Sequence, residues 1–311
     1  MRASALCSQI SIIAALALAS AGCAEPPSEA IAQTPAVPSL EYLDSWGVKG
    51  NEPGQLQDHS SIAVNGMSDV FITNIANGFV NKFERGGKPL LSFQEDGLNH
   101  PQMIVVDDGG AMYVADSVRD SVYIFLPSGD KYKELHLKTK PSAENELSVA
   151  VGDDGLIHVL DSGAGKVFTF TPRAKVVQTW APSGGSNPIS HFGPIVHGPD
   201  DFLYVGNSSG TILKYTREGQ FVSEIRPASP IPSWKTSAGF AFWSNRIIVM
   251  DPDGRMLHVA TMDGKPVIDA DLAPQLGQGR RQPPMLAVTT QGELLVLDPL
   301  ETRVLHYRIK L

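Results

Sequence analysis

Three histidines and one glutamate in this sequence have side chains that could hold a metal ion. Each stands four or five residues before the centre of a short apolar stretch that recurs along the chain: His59, His100, Glu146 and His191. Neutral imidazoles and carboxylates are zinc ligands, and an open coordination position would let zinc activate a water molecule. The alternative is that these are polar residues of a loop rim, bonded to nearby backbone. The histidines occupy two different registers, which makes convergence on one ion harder.

A second group of residues is suited to recognition. It consists of cationic and aromatic side chains in three loops: Arg119, Trp234, Lys235, Arg280 and Arg281. Arginine offers paired hydrogen bonds to carboxylates and tryptophan offers a flat apolar contact, so the group predicts an anionic or polar partner. The alternatives are that Trp234 packs under its own loop and that the charged side chains are scattered and solvated.

Both groups lie in the loops of a repeated unit of short strands. Residues 101–130 show the unit most clearly and predict strands at 103–106, 112–115 and 122–125. An Asp-Asp-Gly-Gly turn joins the first two strands, and an Asp-opened loop joins the second and third. Five further copies occur, and an internal period of roughly 40–45 residues indicates a β-propeller.

A constant spacing aligns the six copies. The middle residue of each first strand and the Asp or Asn after each second strand are 11 residues apart: Ala63/Asn74, Val105/Asp116, Ala150/Asp161, Val196/Asn207, Phe240/Asp251 and Ala287/Asp298. We interpret these Asp and Asn residues as structural, because their side chains accept hydrogen bonds from nearby backbone N–H groups. Six units predict six blades in an all-β fold.

The unit resembles the NHL repeat. Met112–Asp116 (MYVAD) matches the family's second strand, and Arg119 falls in the loop where the family has Asn or Arg. Lys166, Arg255 and Arg303 lie near the same position of their own units. The resemblance covers roughly residues 40–311 and implies a six-bladed propeller of four-stranded blades. It implies no particular activity, because the matching residues belong to the scaffold.

The segment Leu40–Trp46 (LEYLDSW) has the pattern of an outer strand without three strands before it. It resembles Val176–Trp180 (VVQTW), which follows the third unit, whereas the last unit reaches Leu311 directly after its third strand. We therefore predict that the N-terminal segment supplies the fourth strand of the last blade. Closing the ring in this way pairs edges that would otherwise be exposed.

The N-terminus has the features of an export signal. Residues 1–22 contain a basic residue, Arg2, and an apolar stretch at 10–19 that is too short to span a membrane. Ala21-Gly22-Cys23 resembles the end of a bacterial lipobox, which implies that Cys23 becomes the lipidated first residue. The alternative is an ordinary secretory signal with an incidental cysteine. By resemblance to Gram-negative lipoproteins, Ala24 favours the outer membrane, facing the periplasm or the cell surface.

The predicted mature chain would begin with a flexible tether and would have no free thiol. Residues 23–39 are rich in Pro, Ala and Ser and show no apolar period, which predicts an extended segment before a propeller at 40–311. The chain has two cysteines, Cys7 in the signal and Cys23. If both are removed or acylated, the propeller has no disulfide, thiolate metal site or cysteine nucleophile.

The charge of the chain argues against nucleic acid as a partner. Without Arg2, 24 basic residues face 33 acidic ones, a net charge of −9.

The first functional hypothesis is a lipid-anchored, non-enzymatic propeller that binds a protein, peptide or glycan and needs no cofactor. The alternative is a lyase or hydrolase that uses zinc or calcium in the central channel. The six-bladed amidating lyases of this superfamily carry Pro-His motifs there, but this chain has His100-Pro101, so the resemblance does not transfer their metal site.

Overall fold

Four-stranded antiparallel sheets make up the part of the protein that the structure describes. The computed structural model describes residues 37–139, 146–186, 192–207, 210–226, 239–251, 254–276 and 284–311, without the side chains of His59 and Ser60. The described strands form six such sheets, so the predicted six-bladed β-propeller is confirmed. Within these ranges there is no helix with the length and apolar character that a membrane span requires.

The strands follow one another in blade order, apart from the first. The first strand is β1 (Ser39–Trp46). Blades 1 and 2 contain β2 (His59–Val64), β3 (Val70–Asn74), β4 (Val80–Phe83), β5 (Pro89–Phe93), β6 (Pro101–Val106), β7 (Met112–Asp116), β8 (Ser121–Phe125) and β9 (Lys131–His136). Blades 3 and 4 contain β10 (Leu147–Val151), β11 (Ile157–Asp161), β12 (Lys166–Phe170), β13 (Val176–Trp180), β14 (Phe192–His197), β15 (Leu203–Asn207), β16 (Ile212–Tyr215) and β17 (Phe221–Ile225). Blades 5 and 6 contain β18 (Phe240–Trp243), β19 (Arg246–Met250), β20 (Met256–Thr261), β21 (Pro266–Asp271), β22 (Met285–Val288), β23 (Glu293–Asp298) and β24 (Arg303–Lys310).

The spacing of 11 residues marks where the second strands end. In five blades the second strand ends at the aligned Asp or Asn, and in blade 5 it ends one residue earlier, before Asp251. These strands are rich in β-branched and aromatic residues, which suit a pleated, buried surface. All five residues of β7 are buried, as are all five of β11.

The hydrophobic core lies between neighbouring blades. Alternate residues of each strand point to opposite faces of their sheet, so one face meets the preceding blade and the other meets the next. For example, Phe71 of blade 1 packs with Met112 and Phe125 of blade 2. One cluster joins blade 6 to blade 1 through Leu295 and Ile72, which closes the ring.

The closing strand comes from the N-terminal side of the chain, as predicted. β1 pairs antiparallel with β24, from Ser39 opposite Lys310 to Trp46 opposite Val304. It begins at Ser39, one residue before the predicted Leu40. The last blade thus has the strand order β1-β24-β23-β22.

The indole of Trp46 joins the closing strand to the next blade. It packs at 5.2 Å, between ring centroids, from Phe83 of blade 1. It also lies over Gly87, which has a φ of 86°. A Cβ atom at Gly87 would be 2.5 Å from the indole, so this turn needs glycine both for its backbone conformation and for the close approach. Trp180 makes the same contact between blades 3 and 4, above Gly219.

The antiparallel register gives the ring two distinct faces. In blade 2, Pro101 pairs with Asp116, and Asp116 pairs with Ser121. The loop leading into each first strand and the loop between second and third strands therefore lie at one end, which we call the loop face. The hairpins between first and second strands and between third and fourth strands lie at the opposite end, the turn face. Because Ser39 pairs with Lys310, β1 begins at the turn face.

Candidate functional site

Asp116 organises the loop face of blade 2. Its side chain is fully buried and accepts hydrogen bonds from the backbone N–H groups of Asn99 at 2.6 Å, His100 at 2.8 Å and Arg119 at 3.1 Å. The carboxylate of Asp116 thus holds the backbone of two residues that are distant in the sequence, the predicted metal ligand His100 and the predicted rim residue Arg119. The aligned Asp161 acts similarly in blade 3, where its Oδ1 accepts the N–H of Ala164 at 2.8 Å.

The loop that carries His100 is fixed at further points. The phenol of Tyr123 donates to the carbonyl of Gly97 at 2.9 Å, and Lys131 pairs with Glu95 at 2.6 Å. Burial raises the pKa of Tyr123 well above its usual range, so the phenol remains a hydrogen-bond donor. The position of His100 is therefore set by a preorganised loop.

His100 itself is half-buried at the loop face. Its Nδ1 atom is buried and has no hydrogen-bond partner among the described residues. Among the described residues, the hydrogen-bonding capacity of this ring nitrogen is therefore unused.

Glu146 lies at a small cavity near the loop-face end of the channel. Its N–H donates to Ser162 Oγ at 2.9 Å, and the N–H of Ser162 donates back to its carbonyl at 3.0 Å. The cavity has a volume of about 20 Å³ and is also lined by Gln102, Met103, Leu147, Ser148, Gly193, Pro194 and Met285. That space holds about one water molecule.

Side chains of the first strands accept hydrogen bonds from backbone N–H groups at the inner edge of the following blade. The N–H of Ile104 donates to Ser61 Oγ at 3.2 Å, and the N–H of Ile195 donates to Ser148 Oγ at 2.9 Å. Met103 takes the equivalent place in blade 2, where its sulfur lies 3.5 Å from the N–H nitrogen of Val149. These contacts run from one blade to the next and give partners to inner-edge donors that a sheet would otherwise leave unpaired.

Arg119 is exposed on the loop face, in the loop between β7 and β8. Its neighbour Asp120 is buried, with a φ of 53°, and accepts the N–H of Thr139 at 2.6 Å. The hydroxyl of Thr139 contacts Asp120 Oδ1 and also Asp161 Oδ2 of blade 3, the latter at 2.7 Å. The backbone that presents Arg119 is consequently tied to the next blade.

The basic residues near the NHL arginine position in two other blades have structural partners. Arg255 forms an ion pair with Asp271 at 2.9 Å. Arg303 donates from Nη2 to the carbonyl of Gln275 at 2.6 Å. Both residues tie a loop to its own or the preceding blade, which agrees with their interpretation as scaffold residues.

Several predicted site residues lie outside the described residues: Cys23, His191, Trp234, Lys235, Arg280 and Arg281. The backbone of His59 begins β2 opposite Asn74, at the loop face, but its side chain is not described. Within the described ranges no group of three or more His, Cys, Asp or Glu side chains is arranged to hold a metal ion. The proposed grouping of three histidines with Glu146 thus stays a prediction.

Two features of the loop face were not found from the sequence. Met103 and Met285 line the same cavity, and both stand two residues before the aligned strand centres Val105 and Ala287. That shared register was the available signal. Thr139 gave no such signal, because it lies in a loop that does not repeat between blades.

The fold is similar to that of known lyases. A structure of streptogramin B lyase has a TM-score of 0.61 and 12% identity, with 86% of this chain and 98% of that chain covered. Two structures of virginiamycin B lyase from Staphylococcus aureus, one of them a catalytically inactive variant with quinupristin, each have a TM-score of 0.56 and 15% identity, with 88% and 89% covered. No family model matches the chain, and no curated protein matches it. Likeness at this identity shows the propeller fold alone.

Proposed function

We propose that this chain is an NHL-type propeller of the bacterial cell envelope that binds a protein, peptide or glycan through its loop face. Lipidation at Cys23 would hold it on the outer membrane, with the tether of residues 23–39 between lipid and propeller. Its interaction with the membrane would be through that lipid alone. In this function the protein needs no cofactor.

The small size of the described cavity at the loop-face end of the channel is the observation that carries this proposal. A cavity of about 20 Å³, bordered by Met103, Pro194 and Met285, leaves room for about one water molecule. A macromolecular ligand would therefore contact the outer loops, where Arg119 is exposed. Trp234, Lys235, Arg280 and Arg281 belong to loops that lead into blades 5 and 6, so the same face would present them.

Charge supports a polar or anionic partner for this rim. The whole chain has a formal net charge of −8, yet the five proposed rim residues are four cations and one tryptophan. Arginine binds carboxylates through two parallel hydrogen bonds, and tryptophan adds apolar area at low entropic cost. An acidic peptide segment or an acidic glycan would fit this combination.

Affinity capture from the native envelope tests the rim. We expect immobilised wild-type protein to retain a specific partner, and Arg119→Ala, Trp234→Ala and Arg281→Ala each to weaken its retention with the melting temperature nearly unchanged. Arg173→Ala is the matched control, because Arg173 is also exposed but lies in the hairpin between β12 and β13 on the turn face. Full retention by the three rim variants, or loss only through unfolding, would exclude this face.

A metal-assisted lyase or hydrolase is the second candidate. The lyase names of the structurally similar proteins and the unpartnered Nδ1 of His100 favour it. Metal analysis of the purified protein separates the two functions. Stoichiometric zinc or calcium that is lost in the His59→Ala/His100→Ala/His191→Ala variant would support the enzyme, and a metal-free wild type would support the binding module.

A further inference from the structure

An open groove lies on the turn face, on the side of the ring opposite the proposed rim. It has a volume of about 460 Å³, within the roughly 300–1,000 Å³ that small-molecule sites occupy. Three consecutive blades contribute to it, with lining residues Pro199, Phe242, Trp243, Ser244, Val288, Thr289 and Thr290. The groove therefore spans two blade interfaces.

Blade 5 departs from the repeat at this groove. The first hairpins of blades 2, 3 and 4 are acidic, with Asp107-Asp108, Asp153-Asp154 and Asp200-Asp201. Blade 5 has Phe242 and Trp243 two and three residues after its aligned strand centre, where none of the other five blades has an aromatic residue. A tight turn follows, in which Ser244 and Asn245 both have positive φ. A position at which one unit differs from all the other units is a candidate for function rather than for scaffold.

The aromatic side chains of the groove are held in place before any ligand arrives. The indole N–H of Trp243 donates to the carbonyl of Thr290 in blade 6 at 3.1 Å. The same indole packs over Gly292, where a Cβ atom would be 2.3 Å away. Phe242 packs at 4.6 Å, between ring centroids, from Tyr204 of blade 4. A fixed aromatic surface loses little side-chain entropy on binding.

The groove is electrostatically neutral although it lies beside an acidic turn. The seven described residues that line it carry no charged side chain. The two carboxylates next to Pro199 are directed to cations of their own blade, Asp200 to Lys214 at 2.6 Å and Asp201 to Arg217 at 3.2 Å. Neither a cationic nor an anionic ligand gains a free partner among these residues, which favours an uncharged one.

We propose that this groove binds a neutral carbohydrate. A pyranose ring has a flat C–H face that packs on an aromatic ring, and hydroxyl groups at its edge. Phe242 and Trp243 supply the aromatic wall, and the exposed hydroxyls of Ser244 and Thr290 lie at its margin. The site is separate from the loop-face rim and does not depend on the proposed function.

Calorimetric titration of the full chain tests this site with three probes: cellotetraose, chitotetraose and tetragalacturonate. We expect at least one of the two neutral probes to bind with a Kd of about a millimolar or tighter, and the anionic probe to bind at least about tenfold more weakly. Trp243→Ala should weaken binding of the neutral probes at least about tenfold. Trp180→Ala is the matched control, because Trp180 packs over Gly219 in the same manner but lies outside the groove.

A second variant keeps the test decisive if Trp243→Ala does not fold. The side chain of Thr290 is exposed, so the Thr290→Glu variant should fold normally. Because it places a charge in the groove, it should weaken binding of the neutral probes at least about tenfold. Arg119→Ala, on the opposite face, should leave this binding intact. The assignment is overturned if neither neutral probe binds, if tetragalacturonate binds as tightly, or if Trp180→Ala weakens binding as much as the groove variants.

Discussion

His158 has no exposed surface in the second strand of blade 3, and its Nδ1 lies 3.1 Å from the hydroxyl of Thr169. Burial lowers the pKa of His158 to about 4, because the charged imidazolium would lose its hydration. Between this value and an ordinary pKa of about 6.5, the unfolded chain binds a proton that the folded chain does not. The free energy of unfolding must therefore fall as pH falls through that window.

Removal of this imidazole should make stability less dependent on pH. We expect His158→Asn to be less stable than wild type at pH 7, and the difference to shrink by about 3 kcal/mol as pH falls from 6.5 to 4. Urea denaturation across this range measures it. Thr169→Val is the control, because it removes the hydrogen-bond partner but keeps the buried imidazole, so its curve should stay parallel to that of wild type. A constant difference for His158→Asn would contradict the argument.

For single residues, the sequence predicted those that stabilise the fold better than those that form the candidate sites. The aligned Asp or Asn near the end of each second strand was recognisable by spacing, and Asp116 does hold nearby backbone N–H groups. It also holds the loop before β6, 16 and 17 residues upstream, which no local pattern could indicate. The arrangement of Trp243 over Gly292 was equally hidden, because it depends on contact between blades rather than on spacing within one.

Among the elements, β1 carries ionic as well as backbone contacts to the rest of the ring. Glu41 forms an ion pair with Lys310 of β24 at 2.8 Å. Asp44 Oδ1 lies 3.4 Å from Nδ1 of His306 in the same strand, without a hydrogen bond. The blade it completes is in turn joined to blade 1, because Glu293 of β23 pairs with Arg85 at 2.8 Å. The junction is thus held by strand pairing, buried apolar contacts and charges together.

Deletion of residues 40–46 should therefore destabilise the propeller far more than deletion of residues 24–36. The first change removes the pairing with β24 and the contact of Trp46 with blade 1, and we expect a loss of more than about 5 kcal/mol. The second removes a Pro-rich stretch that no apolar pattern predicts to pack. Calorimetric melting of both variants compares them, and equal melting temperatures would argue against ring closure by β1.

For the whole molecule, the anchoring proposal predicts a change of location. Cys23→Ser should move the protein from the membrane fraction to the soluble fraction, because the acyl chains supply its membrane affinity. Cys7→Ser is the matched control and should not change the distribution, since residue 7 would be removed with the signal. Fractionation with metabolic labelling by a radioactive fatty acid measures both. A soluble, unlabelled wild type would contradict the lipoprotein interpretation.

The whole fold was predictable because it repeats. Six copies of one register predict strand pairing, blade number and the missing outer strand at once, and all three are present. The loops that distinguish one blade from another do not repeat, so the same reasoning could not predict their contacts. Thr139, which joins Asp120 to Asp161, belongs to such a loop.

The pairing of Ser39 with Lys310 has a consequence for the order in which the protein forms. Each of the first five blades consists of consecutive strands, so it can assemble before the C-terminal segment folds. The sixth blade needs the earliest and the latest strand together. The entropic cost of closing such a long loop rises slowly, by about 0.6 kcal/mol for each doubling of loop length. Late pairing of β1 with β24 should therefore affect the rate of folding more than the stability of the folded protein. We expect an arc of five blades without β24 to have two open edges, at which pairing between different chains competes with folding.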